Sequence, residues 1–173
     1  VVENGRLVRV WGNQVDVTQQ HLAEEELERK SRLLSGAERI AKTGSWTYEP
    51  EHRRFVWSDN LFAIGKVEVG GFDLTLDNVL GIVHRDDRDR WQRGLERVVE
   101  EGEPFTREIR IFRADGSMIY METRAEPIFD DAGRVTAVTG VGRDVTQEKL
   151  AEMARQELEL QVRQLQKMEA MGT

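Results

Sequence analysis

Gly133 to Glu152 reads GRVTAVTGVGRDVTQEKLAE: a strand-forming run that stops at Asp144-Val145-Thr146 and passes straight into a helix-forming one. The passage has a precedent 128 positions earlier, where Gly5 to Glu24 reads GRLVRVWGNQVDVTQQHLAE; without a gap the two agree at 11 of 20 positions. A repeat at fixed offset means that one structural unit was used twice. The chain is therefore expected to hold the tail of one module and the whole of a second. It starts with Val1 rather than Met, which reads as a segment of a longer array.

Working back from that passage, the period is two. Ser117 to Phe129 places Ile119, Met121, Thr123 and Ala125 on one face, against Tyr120, Glu122, Arg124 and Glu126 on the other. Asp115-Gly116 is a hairpin signal. Before it, Phe105 to Arg113 sets Arg107, Ile109 and Ile111 on one face. Asp130-Asp131-Ala132-Gly133 turns into a third strand, Arg134 to Val145, softened by Gly140 and Gly142. Further upstream, Ser45 to Tyr48 and Arg54 to Ser58 read as two short strands around Glu49-Pro50-Glu51. Leu7 to Val17 reads as a strand of the earlier module.

Helices fill the rest. Gln19 to Ala41 carries Ala23, Leu27, Lys30, Leu34, Ala37 and Ala41 at spacings of four and three, a weak heptad seam. Thr43-Gly44 is expected to end it. Asp59 to Ile64 is a short helix closed by Gly65, and Thr75 to Val83 has helical spacing. Asp86 to Glu101 buries Trp91, Leu95, Val98 and Val99, with Asp86, Asp87 and Asp89 at its dipole-positive start and Gly102 at its end. Thr146 is expected to cap a final helix whose apolar positions are Leu150, Ala154, Leu158, Val162, Leu165 and Met168. The fold class expected is α+β: a five-stranded antiparallel sheet, short helices on one face, and flanking N- and C-terminal helices of coiled-coil character.

Composition narrows the function. The net charge of −7 gives no electrostatic drive toward nucleic acid or anionic lipid. The run Arg85-Asp86-Asp87-Arg88-Asp89-Arg90 reads as a solvated helix face. The chain has no Cys, which excludes disulfides, thiolate metal sites, Cys nucleophiles and flavin photochemistry through a cysteinyl adduct. No apolar run reaches the length of a membrane span. His84 has no partner at metal-ligand spacing and reads as a polar residue at a helix start; His52 falls in a turn and His21 on a solvated helix. No nucleophile–base pair is visible.

These residues, taken in order, resemble a PAS sensor domain with its C-terminal PAC motif. The resemblance rests on Gly44-Ser45-Trp46, Trp57-Ser58 with Gly65, Val83 to Arg88, Arg110 with Arg113-Ala114-Asp115-Gly116, and Gly140 followed by Asp144-Val145-Thr146. The family usually carries Pro where Arg85 stands. Leu165 to Gly172, LQKMEAMG, is similar to the segment that leads into the dimerisation and phosphoacceptor helices of sensor histidine kinases.

The resemblance implies a division into an upstream PAS/PAC remnant (1–17), a helical linker (18–41), a PAS domain (42–146) and an exit helix (147–173). It implies a cytoplasmic signal-sensing and relay module of a multi-PAS histidine kinase, a homodimer through helices 18–41 and 147–171, without catalysis of its own. The phosphoacceptor His and the ATP-binding domain of the parent are expected beyond this segment. Alternatives are a ligand-free dimerisation spacer and a PAS module ahead of a cyclic-dinucleotide enzyme.

Asp144, Thr146, Gly44 and Trp46 are the expected relay residues. Asp144 would accept hydrogen bonds from the domain's first strand near Thr43 to Ser45, and Thr146 would satisfy a free amide at the helix start. Trp57, Phe62, Phe72, Leu80, Trp91, Ile109 and Met121 are the expected core or pocket; packing is the favoured reading and a small-molecule cavity the other. No motif requires a cofactor, and its identity stays unknown; nucleic acid and membrane are not expected partners.

Overall fold

A computed structural model of the chain describes residues 2–3, 6–7 and 18–172. The chain divides into two units, Val1–Gly36 and Ala37–Thr173. In the first, β1 (Val2–Glu3) pairs antiparallel with β2 (Arg6–Leu7). Most of the expected strand Leu7 to Val17, and with it most of the upstream repeat copy, lies outside the described residues. Helix α1 (Thr18–Ile40) follows and runs across the boundary.

The second unit contains β3 (Thr43–Glu49), β4 (Arg54–Trp57), α2 (Asp59–Gly65), α3 (Leu76–Ile82), α4 (Arg85–Glu101), β5 (Phe105–Phe112), β6 (Met118–Phe129), β7 (Val135–Asp144) and α5 (Thr146–Met171). Its five strands form one antiparallel sheet in the order β4-β3-β7-β6-β5. The period-two pattern of β6 is realised: Ile119, Met121, Thr123 and Ala125 are buried and their neighbours are not. Ile119, Met121 and Ala125 pack with Ile109 and Ile111 of β5, Trp46 and Tyr48 of β3, and the inner stripes of α2, α3 and α4 in one core. Each fully buried Leu, Val, Ile or Phe in it contributes about 1.5–3 kcal/mol.

Turns and caps explain the boundaries. Gly116 (φ 81°) and Gly133 (φ 76°) supply the left-handed residues of the two hairpins. Asp115 accepts from the Ser117 amide and hydroxyl, and Asp130 from the amides of Ala132 and Arg134. Ser58 caps α2, its Oγ accepting from Leu61 N, and Thr75 caps α3 in the same way.

Several sequence expectations need correction. Helix α1 ends at Ile40; Thr43-Gly44 belongs to β3, and Lys42 (φ 53°) makes the turn between them. Gly65 does not close α2, because it is buried inside the last turn and Lys66 (φ 54°) takes the left-handed position. Gly140 and Gly142 do not soften β7, which pairs continuously with β3 across both. The charged run at the start of α4 is not wholly solvated: Asp87 is 8% exposed and ion-paired.

Helix α5 runs unbroken for 26 residues, and none of them is buried. Leu150, Leu158, Leu165 and Met168 are each more than half exposed. A stripe of this kind gains stability only against a partner.

Candidate functional site

The sheet delivers three strand ends to one place. The backbone amide of Asp144 donates to Lys42 O, and that of Val145 donates to Tyr120 O. The last residue of β7 and the one after it are thereby fixed to the turn before β3 and to β6 respectively.

The side chains at this point form a continuous network. Asp144 Oδ2 accepts from Arg113 Nη2 at 2.7 Å, and Oδ1 accepts from the Thr146 amide at 3.0 Å and from Thr146 Oγ1 at 2.6 Å. Thr146 Oγ1 in turn accepts from Tyr120 N at 3.0 Å. Arg113 Nε donates to Ile64 O at the end of α2. One arginine thus joins the β5–β6 hairpin and α2 to the carboxylate that holds the first turn of α5.

The expected roles of the pair are reversed in detail. Thr146 does not cap α5: Val145 occupies the cap position and no side chain caps there. Asp144 takes a first-turn amide instead, two residues on. Its carboxylate does not reach Thr43 to Ser45. Thr43 pairs with Arg143, so only the Asp144 backbone meets that side, while its side chain crosses to the hairpin.

Gly44 and Trp46 are placed by close approach. A Cβ on Gly44 would lie 2.6 Å from the backbone of Leu61, so α2 sits flush on β3 only because none is there. A Cβ on Gly140 would lie 2.2 Å from Cζ2 of Trp46, so the indole lies across bare backbone of β7. Ser58 Oγ accepts from Ser45 N and Leu61 N, tying the same strand and helix together.

A cavity of about 50 Å³ lies between sheet and helices, with Trp46, Trp57, Trp91, Ile109 and Met121 in its wall. That is room for one or two water molecules. Phe62, Phe72 and Leu80 stand outside the wall: Phe62 meets Trp57 edge-on, Phe72 stacks on its ring, and Leu80 packs partly buried against the core. The buried Trp91 Nε1–H has no hydrogen-bond partner within the protein.

A second charge pair, with Asp87 buried and Arg110 half-buried, was missed from sequence. Asp87 receives Arg110 Nε at 2.9 Å, Arg110 Nη2 at 3.0 Å and the Arg110 amide at 2.9 Å. These hydrogen bonds hold its carboxyl below the ordinary value, against the opposing effect of burial. Part of the signal is in the sequence, since Arg110 belongs to the hairpin residues that carry the family resemblance, but its partner lies 23 residues away. His84 accepts from Asp86 N through Nδ1 and stacks on Phe112, the structural role expected of it. Among the described residues no cluster of His, Cys, Asp or Glu could hold a metal, and no helix is long and apolar enough to cross a membrane.

Residues 54–142 match the family described as the PAS fold. Sensor protein FixL of Bradyrhizobium diazoefficiens is 28% identical over 125 residues, 70% of this chain and 24% of that protein. The blue-light-activated histidine kinase of Brucella ovis is 31% identical over 163 residues, 86% of this chain and 32% of that protein. The chain therefore spans a third or less of the length of these relatives. A solved sensory box histidine kinase/response regulator from Burkholderia thailandensis superposes with a TM-score of 0.63 at 23% identity, covering 76% of this chain and 98% of that one; at that identity the likeness is one of fold. The chain belongs to the PAS fold family, and its core is a PAS sensor domain related to those of sensor histidine kinases.

Proposed function

We propose that this segment senses and relays a signal within a cytoplasmic multi-PAS histidine kinase, dimerising through residues 18–41 and 147–171 and passing changes in its core to α5. The kinase domain lies downstream, and no catalytic step occurs in the segment itself. One observation carries the reading: Arg113 holds both Ile64 O of α2 and the Asp144 carboxylate that fixes the start of α5. A shift of α2 over the cavity changes the position of Ile64 O, and with it the load on Arg113 and Asp144. Coupling of this kind requires two arrangements of the helix pair that the core biases differently.

The test uses the full-length kinase. Asp144→Ala is expected to change autophosphorylation by about fivefold or more, within the range of ordinary coupling energies, while the far-ultraviolet spectrum is retained and the PAS unit melts only a few degrees lower, as a loss of about 1 kcal/mol implies. Equal output at equal stability overturns the relay. A sedimentation experiment showing a monomer at high concentration overturns the dimer.

The small cavity favours a second reading, a closed spacer that transmits upstream motion and takes no ligand. The cavity wall of Trp46, Trp57, Trp91, Ile109 and Met121 favours the sensor, because an apolar, aromatic lining suits a small-molecule ligand. Native mass spectrometry separates the two, through a retained mass in one case and the bare subunit mass in the other.

A further inference from the structure

A separate cleft of about 280 Å³ opens where α1 ends, walled by Arg39, Lys42, Thr43, Asn60, Arg113 and Asp144. Its charge runs against that of the chain. Acids outnumber Lys and Arg by 32 to 25 overall, yet this cleft gathers three cations and one carboxylate.

That carboxylate is already engaged. Asp144 takes hydrogen bonds from Arg113 and from the amide and hydroxyl of Thr146. Arg113 has five N–H groups; one goes to Ile64 O and one to Asp144. Neighbouring Glu38 keeps its charge but is not part of the cleft wall, and its Oε2 accepts from Asn60 Nδ2 rather than from any of the three cations. Among the described residues, the side chains of Arg39 and Lys42 have neither an ion pair nor a hydrogen bond. Arg39 stands in the last turn of α1, where the helix dipole favours a cation. Lys42 follows two residues beyond the helix end, in a left-handed turn.

We propose that this cleft is a binding site for a small oxyanion, a carboxylate or phosphate compound, that bridges Arg39 and Lys42 to the free N–H groups of Arg113. Guanidinium donors match such oxygens in bidentate geometry, and Lys adds a point charge. The ligand would sit between the last turn of α1 and the arginine that holds Asp144. The site stands or falls independently of the relay reading, since its test measures binding and not kinase output.

The test is an amide chemical-shift titration of the 173-residue chain with inorganic phosphate, succinate and sodium chloride at matched ionic strength. Phosphate or succinate is expected to give saturable shifts at residues 39–44, 60–64 and 113, with a midpoint below about 5 mM. The stronger of the two identifies the headgroup chemistry. The double variant Arg39→Gln/Lys42→Gln, altered only at exposed side chains, is expected to weaken binding about tenfold. Asp144→Asn removes the competing charge and is expected to tighten it. Shifts that chloride reproduces, or that survive the double variant unchanged, overturn the proposal.

Discussion

Two arginines three residues apart meet two aspartates, and each aspartate stands at the beginning of a helix. Arg110 of β5 meets Asp87 in the first turn of α4; Arg113, just past the end of β5, meets Asp144 just before α5. The first pair is closed. Asp87 is gripped by two guanidinium nitrogens and by the Arg110 amide, and α4 is packed into the core through Trp91, Leu95 and Val98. The second pair is shared. Arg113 spends one donor on α2, and Asp144 spends one oxygen on Thr146 of a helix with no buried residue. The same chemistry therefore fixes a helix in one case and connects a free-standing helix in the other. The difference lies in what else holds each helix.

The largest effect expected is at the closed pair. Asp87→Ala strands the Arg110 amide and a half-buried guanidinium, and is expected to cost about 2–3 kcal/mol in urea denaturation. A loss no larger than that of Asp144→Ala would erase the distinction. The closed pair should also impose an acid limb. Arg110 lowers the folded-state carboxyl of Asp87 below its ordinary 3.8. Its stabilisation is therefore complete above that value and disappears as pH falls through the lowered one. Asp87→Asn should narrow its deficit against the wild type between neutral pH and pH 3 in a denaturation series; a deficit independent of pH contradicts the assignment.

Next in size is the shared pair. Asp144→Ala should cost about 1 kcal/mol, the usual range for a lost helix-start hydrogen bond. The corresponding opening, roughly a fivefold to tenfold faster amide hydrogen exchange, should be confined to the first turn of α5 and leave α4 unchanged. The smallest effect is expected from Thr146→Val, which removes the acceptor for Tyr120 N at about 0.5–1 kcal/mol. Protection at Tyr120 should fall while Asp144 keeps Arg113. If exchange in α4 rises as much as in α5, the two regions are one cooperative unit.

The architecture was legible in the sequence because it rests on periodicity. Ile119, Met121, Thr123 and Ala125 alternate, Trp91, Leu95 and Val98 recur at helical spacing, and Asp115-Gly116 marks its own hairpin. The site was legible only as a location. Asp144 and Thr146 stood out at the strand-to-helix junction, but the identity of their partners depends on register across β6 and on a hairpin 31 residues away. Gly140 carries the same lesson. An isolated strand glycine reads as weakness; opposite Trp46 it is the space an indole needs. Lys42 and Lys66 gave no signal at all, since lysine has no preference for the left-handed turns they make.

Trp46 lying over Gly140 also limits how the sheet can move. A one-residue slide of β7 along β3 would turn every side chain to the wrong face. Sliding by two would thrust Val138 into the indole, or else carry Asp144 and Val145 away from their carbonyl partners at Lys42 and Tyr120. If α5 is driven from the core as proposed, the motion must arrive as tilt or twist of an intact lattice, because this sheet has no ratchet.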